Sequence, residues 1–335
     1  MTALRRIGQY LLVLWAAVTI NFALPYLAPG DPITFLYGGE DGNLAPEYVE
    51  QMRSAAGLDR SIVEQYFSFL GGLLQGDLGM SIQHNRPVVD LLMEKLPWTL
   101  VLVGMAMLIA AVIGTLLGTW VAWHRGTNRE TATVAGVLVV DSMPGFWVGM
   151  ILIAVFAVQL GWFPSYGAVP INVSGWDWFT AVALRLVLPV ATLVIASVGG
   201  FFLLARASMT GVLDEPFIRL ARAKGLTEKR VALGHALRNS LLPVFTSLTL
   251  TVGTLLSGAV VVESVFAYPG LGKLTYDAVT TRDYPLLQGA FLLATLVVLC
   301  YLGVSARVST DFSRPCPHGC THPQPRRRID GYVCR

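Results

Sequence analysis

Six long runs of apolar residues divide the chain, and polar or turn-rich segments separate them. A helix needs about 20 residues to cross the roughly 30 Å hydrocarbon layer of a membrane, and every run reaches that length. None of the runs alternates strictly between apolar and polar positions, so a membrane β-barrel is disfavoured. The pattern therefore predicts six transmembrane α-helices, at residues 7–27, 98–123, 134–160, 184–207, 241–262 and 285–306.

The composition agrees with this pattern. Of the 335 residues, 54% are hydrophobic and only 13% are charged, and the mean hydropathy is +0.60. These values place the chain among integral membrane proteins. The first run could also be a secretory signal, but it is long for the apolar core of one, and Tyr26 interrupts the small-residue cleavage pattern. We therefore expect residues 1–29 to remain as the first span.

The Lys and Arg residues predict the orientation. Seventeen of the 24 fall in segments that the six spans would place on one side, and basic residues mark the cytoplasmic side. Both termini should then be cytoplasmic, and residues 30–97 form an external insertion with two short helices. Residues 98–306 hold the other five spans. The net charge of +3 reflects this bias, and it does not indicate binding to nucleic acid.

The most basic cytoplasmic segment, residues 208–240, contains "RLARAKGLTEKRVALGH". Pro216 is suited to begin a short helix, Gly225 to end it, and Thr227 to cap a second helix that runs to Pro243. Phe217, Leu220 and Ala221 are predicted to share one face. The charges could simply set topology or contact anionic lipids. The small Ala221 and Ala223 instead favour a compact knob that packs against a partner protein.

Polar and small residues inside the spans are candidates for special roles. Asp141 and Glu263 are carboxylates within or beside apolar runs, where charge is costly, and we treat both as tentative pathway residues. Asp141 could instead pair with Arg206 or with a partner chain, and Glu263 could lie in the headgroup zone. Pro144 should kink the third span. Small residues spaced four apart allow close helix packing, as at Gly114 and Gly118.

Motifs for catalysis are absent from the sequence. The stretch "GLGKLT" resembles a phosphate-binding loop, but Ala267 replaces its first glycine and the segment is predicted to be external. No zinc-protease or serine-hydrolase motif occurs. We therefore expect a chain that is not itself an enzyme.

The chain resembles a known family in several motifs that occur in the same order. The segment "RASMTGVLDEPFIRLARAKGLTEKRVALGHALRNSLLP" resembles the cytoplasmic loop of permease subunits of ATP-binding cassette importers, in the dipeptide, oligopeptide and nickel branch. Six further segments, spread over about residues 1–300, resemble the same branch: "LAPGDP", "GLDRSIVEQYFSFL", "GDLGMSI", "LPWTLVL", "VVVESVFAYPGLGKL" and "RDYPLLQG".

The resemblance implies an all-α type I importer permease fold, in a bacterial inner membrane and without a cofactor. It implies four kinds of partner: the lipid bilayer, a second permease subunit, separate cytoplasmic ATPase subunits and an external binding protein. Peptides are the expected substrate, with nickel or another small solute as the alternative. Two other functions stay open: an ion-coupled transporter acting through Asp141, and a membrane scaffold that transports nothing. The residues expected to couple to the ATPase are Arg219, Leu220, Ala221, Arg222, Ala223, Lys224, Gly225, His235, Asn239 and Pro243.

The tail departs from this resemblance after about residue 300. Pro, Arg, Ser and His dominate residues 307–335, and no periodicity appears, so a disordered cytoplasmic tail is expected. A shifted reading frame in the gene would also explain the change of composition. Four side chains in the tail could bind zinc, although their spacing is tighter than in usual structural sites: Cys316, His318, Cys320 and His322. We do not predict a metal site from them.

Overall fold

The computed structural model describes residues 3–27, 59–168 and 174–312, with isolated positions 47, 51 and 54. The described residues are mostly helical, and an isolated bridge between Met80 and Pro87 is the β pairing found among them. The predicted all-α fold is confirmed. The helices are α1 Ala3–Leu27, α2 Ile62–Leu74, α3 Val88–Trp123, α4 Asn128–Asp141, α5 Gly145–Leu152, α6 Trp176–Leu213, α7 Pro216–Ala223, α8 Leu237–Val265, α9 Leu271–Thr280 and α10 Tyr284–Phe312.

The long helices follow the predicted runs with different limits. Helices α3 and α6 are each long and apolar enough to cross a membrane. Helix α3 begins at Val88, ten residues before the predicted start of the second span, and it continues through Pro97. Shorter apolar stretches occupy 8–23 of α1 and 284–299 of α10. The count of six spans stays a prediction.

The third predicted span is broken rather than kinked. Helix α4 ends at Asp141, and α5 begins after Pro144, which has an extended backbone. A proline has no N–H to donate and disfavours helical backbone in the residue before it. Helix α4 therefore meets the helix 145–159, which consists of α5 and the π-helical turn Ile153–Gln159, at an angle of 91°. The two parts together would form at most one bent span.

Helices α3 and α6 pack along each other through the predicted small-residue pair. A Cβ atom at Gly114 would lie 2.7 Å from the Cβ of Phe201, and one at Gly118 would overlap the carbonyl oxygen of Phe202. Real Cβ atoms essentially never come this close to other atoms, so neither position has room for a side chain. The two glycines therefore let the helix backbones meet, as the sequence predicts.

Gly118→Val should destabilise the chain by about 1–3 kcal/mol, because the side chain must push α6 away from α3. Gly104→Val is the control: this glycine lies on the same helix, and an added Cβ would meet no atom of the chain within 4 Å. The measurement is the thermal unfolding temperature of the detergent-solubilised chain. Equal effects of both changes would contradict the close contact.

Two smaller clusters of buried side chains lie at opposite ends of the bundle. One joins the ends of α3 and α6 to α7 and to the segment that leads into α8; we call this the α7 end. The other joins the start of α3 to α9 and the start of α10; we call this the opposite end. Candidate functional residues occur at both ends.

Candidate functional site

Helix α7 is a short element with defined limits. Pro216 occupies its first turn, where a missing N–H costs nothing. At the other end Gly225 has φ +76°, a conformation that suits glycine. The N–H of Gly225 donates to the carbonyl of Arg222 at 2.9 Å, and the N–H of Leu226 donates to the carbonyl of Ala221 at 3.4 Å. This is a Schellman ending, so the predicted glycine stop is present.

The buried face of α7 differs from the predicted one. Ile218 is fully buried and Ala221 nearly so, whereas Phe217 and Leu220 are exposed by 38% and 56%. Ile218 was not singled out from the sequence, although it adjoins Ala221 on the apolar side of α7, opposite Arg219. The packing turns the Ile218 edge of that side toward the bundle and leaves the Leu220 edge outside. The residues that bury α7 come from α3, α6 and the segment before α8: Ala122, Met209, Leu213, Val231 and Ala236.

The exposed face of α7 therefore combines apolar and basic side chains. Phe217 and Leu220 point away from the cluster that anchors the helix, and Arg219 and Lys224 are also exposed. Exposed large apolar side chains next to charge are typical of a surface that meets another molecule. The described part of the chain thus holds α7 firmly and leaves its outer side open.

Two bidentate ion pairs lie at this knob, one within it and one at its junction with α6. The Arg222 guanidinium donates to Glu228 at 3.1 and 3.3 Å and lies 5.8 Å from the centre of the Trp123 ring. Arg125 donates to Asp214, between α6 and α7, at 2.8 and 3.0 Å. These hydrogen bonds from Arg125 keep the pKa of Asp214 below its usual range, so the pair is charged at neutral pH. Arg222 is therefore occupied within the chain.

The predicted second helix does not stop at Pro243. The helical turn Glu228–Arg230 and the π-helical segment Val231–Ala236 lead directly into α8, which contains Pro243. The helix continues because one missing N–H within a long helix need not end it. Thr227 precedes the first turn, but its side chain makes no capping hydrogen bond. His235, Asn239 and Pro243 are all exposed on this continuous element.

The α4–α5 break brings together two of the three predicted pathway residues, Asp141 and Pro144. The Asp141 carboxylate lies against Gly199 of α6, where an added Cβ would overlap it. The alternative that Asp141 pairs with Arg206 is wrong within this chain, because Arg206 donates to Glu130 at 2.5 and 3.1 Å. Pairing of Asp141 with a partner chain stays a prediction. Asp141 is exposed on this chain. Gly199, which it contacts, lies about 21 Å from the end of α6, at 1.5 Å per residue.

Glu263, the third pathway candidate, has different neighbours and is fully buried at the opposite end. Its carboxylate accepts a hydrogen bond from the Thr99 hydroxyl at 2.7 Å and one from the N–H of Lys273 at 2.9 Å. A Cβ at Gly270 would overlap the carboxylate. The glycines of "GLGKLT" therefore make room for Glu263. Its depth relative to the lipid headgroups stays a prediction.

Asp283 is a buried polar residue that sequence reasoning missed. Its carboxylate accepts hydrogen bonds from the Ser81 hydroxyl at 2.5 Å and from the N–H of Gln83 at 3.2 Å, and it caps the start of α10 through the N–H of Leu286. The signal in the sequence was an acidic residue just before an apolar run, which is a helix-start pattern. Its partners 200 residues away could not be foreseen.

The geometry thus defines a class: a helical membrane bundle with a short helix fixed on the ends of two long helices. The computed fold resembles a solved MetNI methionine ABC transporter, with a TM-score of 0.55 at 18% identity, covering 67% of this chain and 97% of that one. This likeness concerns the fold alone. It confirms the predicted permease fold.

The chain belongs to the family of inner membrane components of binding-protein-dependent transport systems. The family pattern matches residues 114–312, and the N-terminal pattern of such membrane components matches residues 2–103. A putative peptide transport system permease protein of Brucella abortus is 36% identical over 313 residues, 93% of this chain and 96% of the relative. The dipeptide transport system permease protein DppB of Escherichia coli is 37% identical over 317 residues, 88% of this chain and 93% of the relative.

The family match also bears on the tail. It extends to residue 312, about twelve residues beyond the point where the sequence alone placed the departure from the family. The rest of the tail, with Cys316, His318, Cys320 and His322, lies outside the described residues. Its expected disorder stays a prediction.

Proposed function

We propose that this chain is the membrane-spanning permease subunit of an ATP-driven importer of di- or oligopeptides. The relatives named for peptide, dipeptide or di/tripeptide transport support the substrate class, because they align over most of this chain. They favour peptides over the alternative of nickel. In this proposal an external binding protein delivers the substrate, and a second permease subunit completes the pathway.

The proposal rests on one observation: α7 is anchored by Ile218 and Ala221 and presents Phe217 and Leu220 outward. A separate cytoplasmic ATPase that binds Phe217 and Leu220 would move α7 as a rigid body. Because the anchoring cluster includes the ends of α3 and α6, that motion would be passed to both long helices. The residues of this knob then couple ATP hydrolysis to the bundle without touching ATP.

The same proposal fixes the orientation. The α7 end carries the exposed Arg125, Arg219 and Lys224, and basic residues favour the cytoplasmic side. Both termini are then cytoplasmic, and Glu263 and Asp283 lie toward the exterior. Asp141 and Pro144, at the break between α4 and α5, and Glu263, at the opposite end, remain the proposed pathway residues.

Co-purification tests the docking surface. Leu220→Asp should reduce recovery of the ATPase subunits with the tagged permease at least tenfold, because a desolvated charge replaces an apolar anchor. Leu74→Asp is the control: Leu74 is 90% exposed, on α2, far along the chain from α7. Full ATPase recovery with Leu220→Asp would contradict docking through α7, and peptide uptake driven by a proton gradient without ATPase would favour a secondary transporter.

A further inference from the structure

A cavity of about 390 Å³ lies between α1, α3, α8, α9 and α10. This volume is far larger than the roughly 30 Å³ that one water molecule occupies. Most of its lining is apolar, including Val13, Ala294 and Val298. The cavity is separate from α7 and from the α4–α5 break, so neither the coupling nor the pathway proposal accounts for it.

One polar group in this cavity has an unused donor. Asn21 of α1 lines the cavity and is 8% exposed, and its Nδ2 has no hydrogen-bond partner among the described residues. A buried donor without an acceptor costs about 1–3 kcal/mol. A ligand that brings an acceptor to Asn21 would remove this cost.

The other polar side chains of the lining already have partners. The Thr99 hydroxyl donates to Glu263, the Thr275 hydroxyl donates to the carbonyl of Leu271, and the Thr295 hydroxyl donates to the carbonyl of Phe291. The ligand therefore needs only one acceptor for Asn21, together with a long apolar part. A free peptide, with many polar groups, does not match this lining.

The polar and apolar ends of the cavity lie at different depths. Asn21, Thr99 and Thr275 lie toward the opposite end of the bundle from α7, while Val13 lies about 12 Å deeper along α1, at 1.5 Å per residue. Val13 is itself 48% exposed, so the deep part of the cavity opens beside α1 where lipid would lie. An acyl ester has the same order, with an acceptor carbonyl at one end and a hydrocarbon chain below it.

We infer that this cavity is a seat for one acyl chain of a membrane glycerophospholipid. The ester carbonyl accepts a hydrogen bond from Asn21 Nδ2, and the hydrocarbon fills the space between α1 and α10. The bound chain then acts as packing between the first and last long helices. This inference does not depend on the transported substrate.

Photolabelling tests the seat. The purified permease complex, in mixed micelles with a phosphatidylethanolamine that carries a diazirine in one acyl chain, is irradiated and its labelled peptides are mapped by mass spectrometry. Adducts are expected on the α1 and α10 segments that line the cavity. Asn21→Leu should lower this labelling about fivefold, the factor that corresponds to one hydrogen bond. Gln9→Leu, an exposed polar-to-leucine change on the same helix, should leave it unchanged.

A second variant separates the seat from general contact with lipid. Ala294→Trp fills the cavity and should lower the labelling at least fivefold, and Ala294→Leu serves if the larger side chain prevents folding, as judged by size exclusion. Wild-type labelling in both Asn21→Leu and the folded Ala294 variant would overturn the inference. A photoreactive side chain at Val298 that crosslinks to another protein subunit and never to lipid would also overturn it.

Discussion

Gly225→Asp should abolish ATP-driven uptake while the amount of chain in the membrane changes by less than twofold. A residue other than glycine at φ +76° costs about 1–2 kcal/mol, which the anchored α7 can tolerate. An added Cβ at Gly225 meets no atom of this chain within 4 Å. In the proposed docking, the loss of uptake then arises where the new carboxylate meets the ATPase. The measurement is peptide uptake by whole cells or proteoliposomes, with membrane content from immunoblots.

Gly76→Asp provides a matched control for this result. Gly76 has the same φ, +76°, is exposed, and has open space around an added Cβ. It follows α2 and is not part of the α7 end. Gly76→Asp should keep at least half of the uptake. Normal uptake with Gly225→Asp, or equal losses in both variants, would contradict docking at α7.

Glu263→Ala should be the most destabilising single change at the opposite end, with an unfolding temperature lower by roughly 5 °C or more. The change leaves the Thr99 hydroxyl and the N–H of Lys273 without their acceptor in a buried site, each at about 1–3 kcal/mol. It also leaves a cavity beside Gly270 and Gly272. Glu263→Gln should lie between wild type and Glu263→Ala, because its amide group faces donors and keeps one acceptor oxygen.

Glu94→Gln is the control for Glu263→Gln. Glu94 is half exposed and pairs with Arg86 and Lys95 at the surface, where such pairs contribute about 0–1 kcal/mol. Thermal unfolding of the detergent-solubilised chain, followed by tryptophan fluorescence, compares the variants. If Glu263→Ala unfolded at the wild-type temperature, Glu263 would not join α3 to α9, and a role in the pathway would become the better explanation for a buried carboxylate.

The glycines show which tertiary contacts a local sequence pattern can predict and which it cannot. Gly114 and Gly118 were predicted to permit close packing, and they do, because a four-residue spacing places both on one side of a helix whatever the partner is. The pattern did not name α6 as the partner. Gly270 and Gly272 suggested a failed phosphate loop, and their actual neighbour is Glu263, which lies earlier in the chain on α8.

Charge partners were the least predictable feature. Arg206 pairs with Glu130 instead of Asp141, although both carboxylates belong to α4. Asp141, at the other end of α4, lies against Gly199 of α6, just before the 91° bend at Pro144. Proline chemistry predicts a disturbance there, but its angle is set by packing, as Gly145 and Gly149 place α5 against Ala196 and Thr192 of α6.

The sequence by itself determined the membrane class, the all-helical fold, the family and the helix–glycine–helix knob. These follow from run length, composition and short motifs, which are local properties of the chain. Only the tertiary structure decided which face of α7 is buried, that Glu263 and Asp283 are internal, and that Asn21 lines a cavity. Each of these depends on residues distant in sequence, because the polarity of a side chain sets only its tendency to be buried, and its neighbours in space decide whether it is.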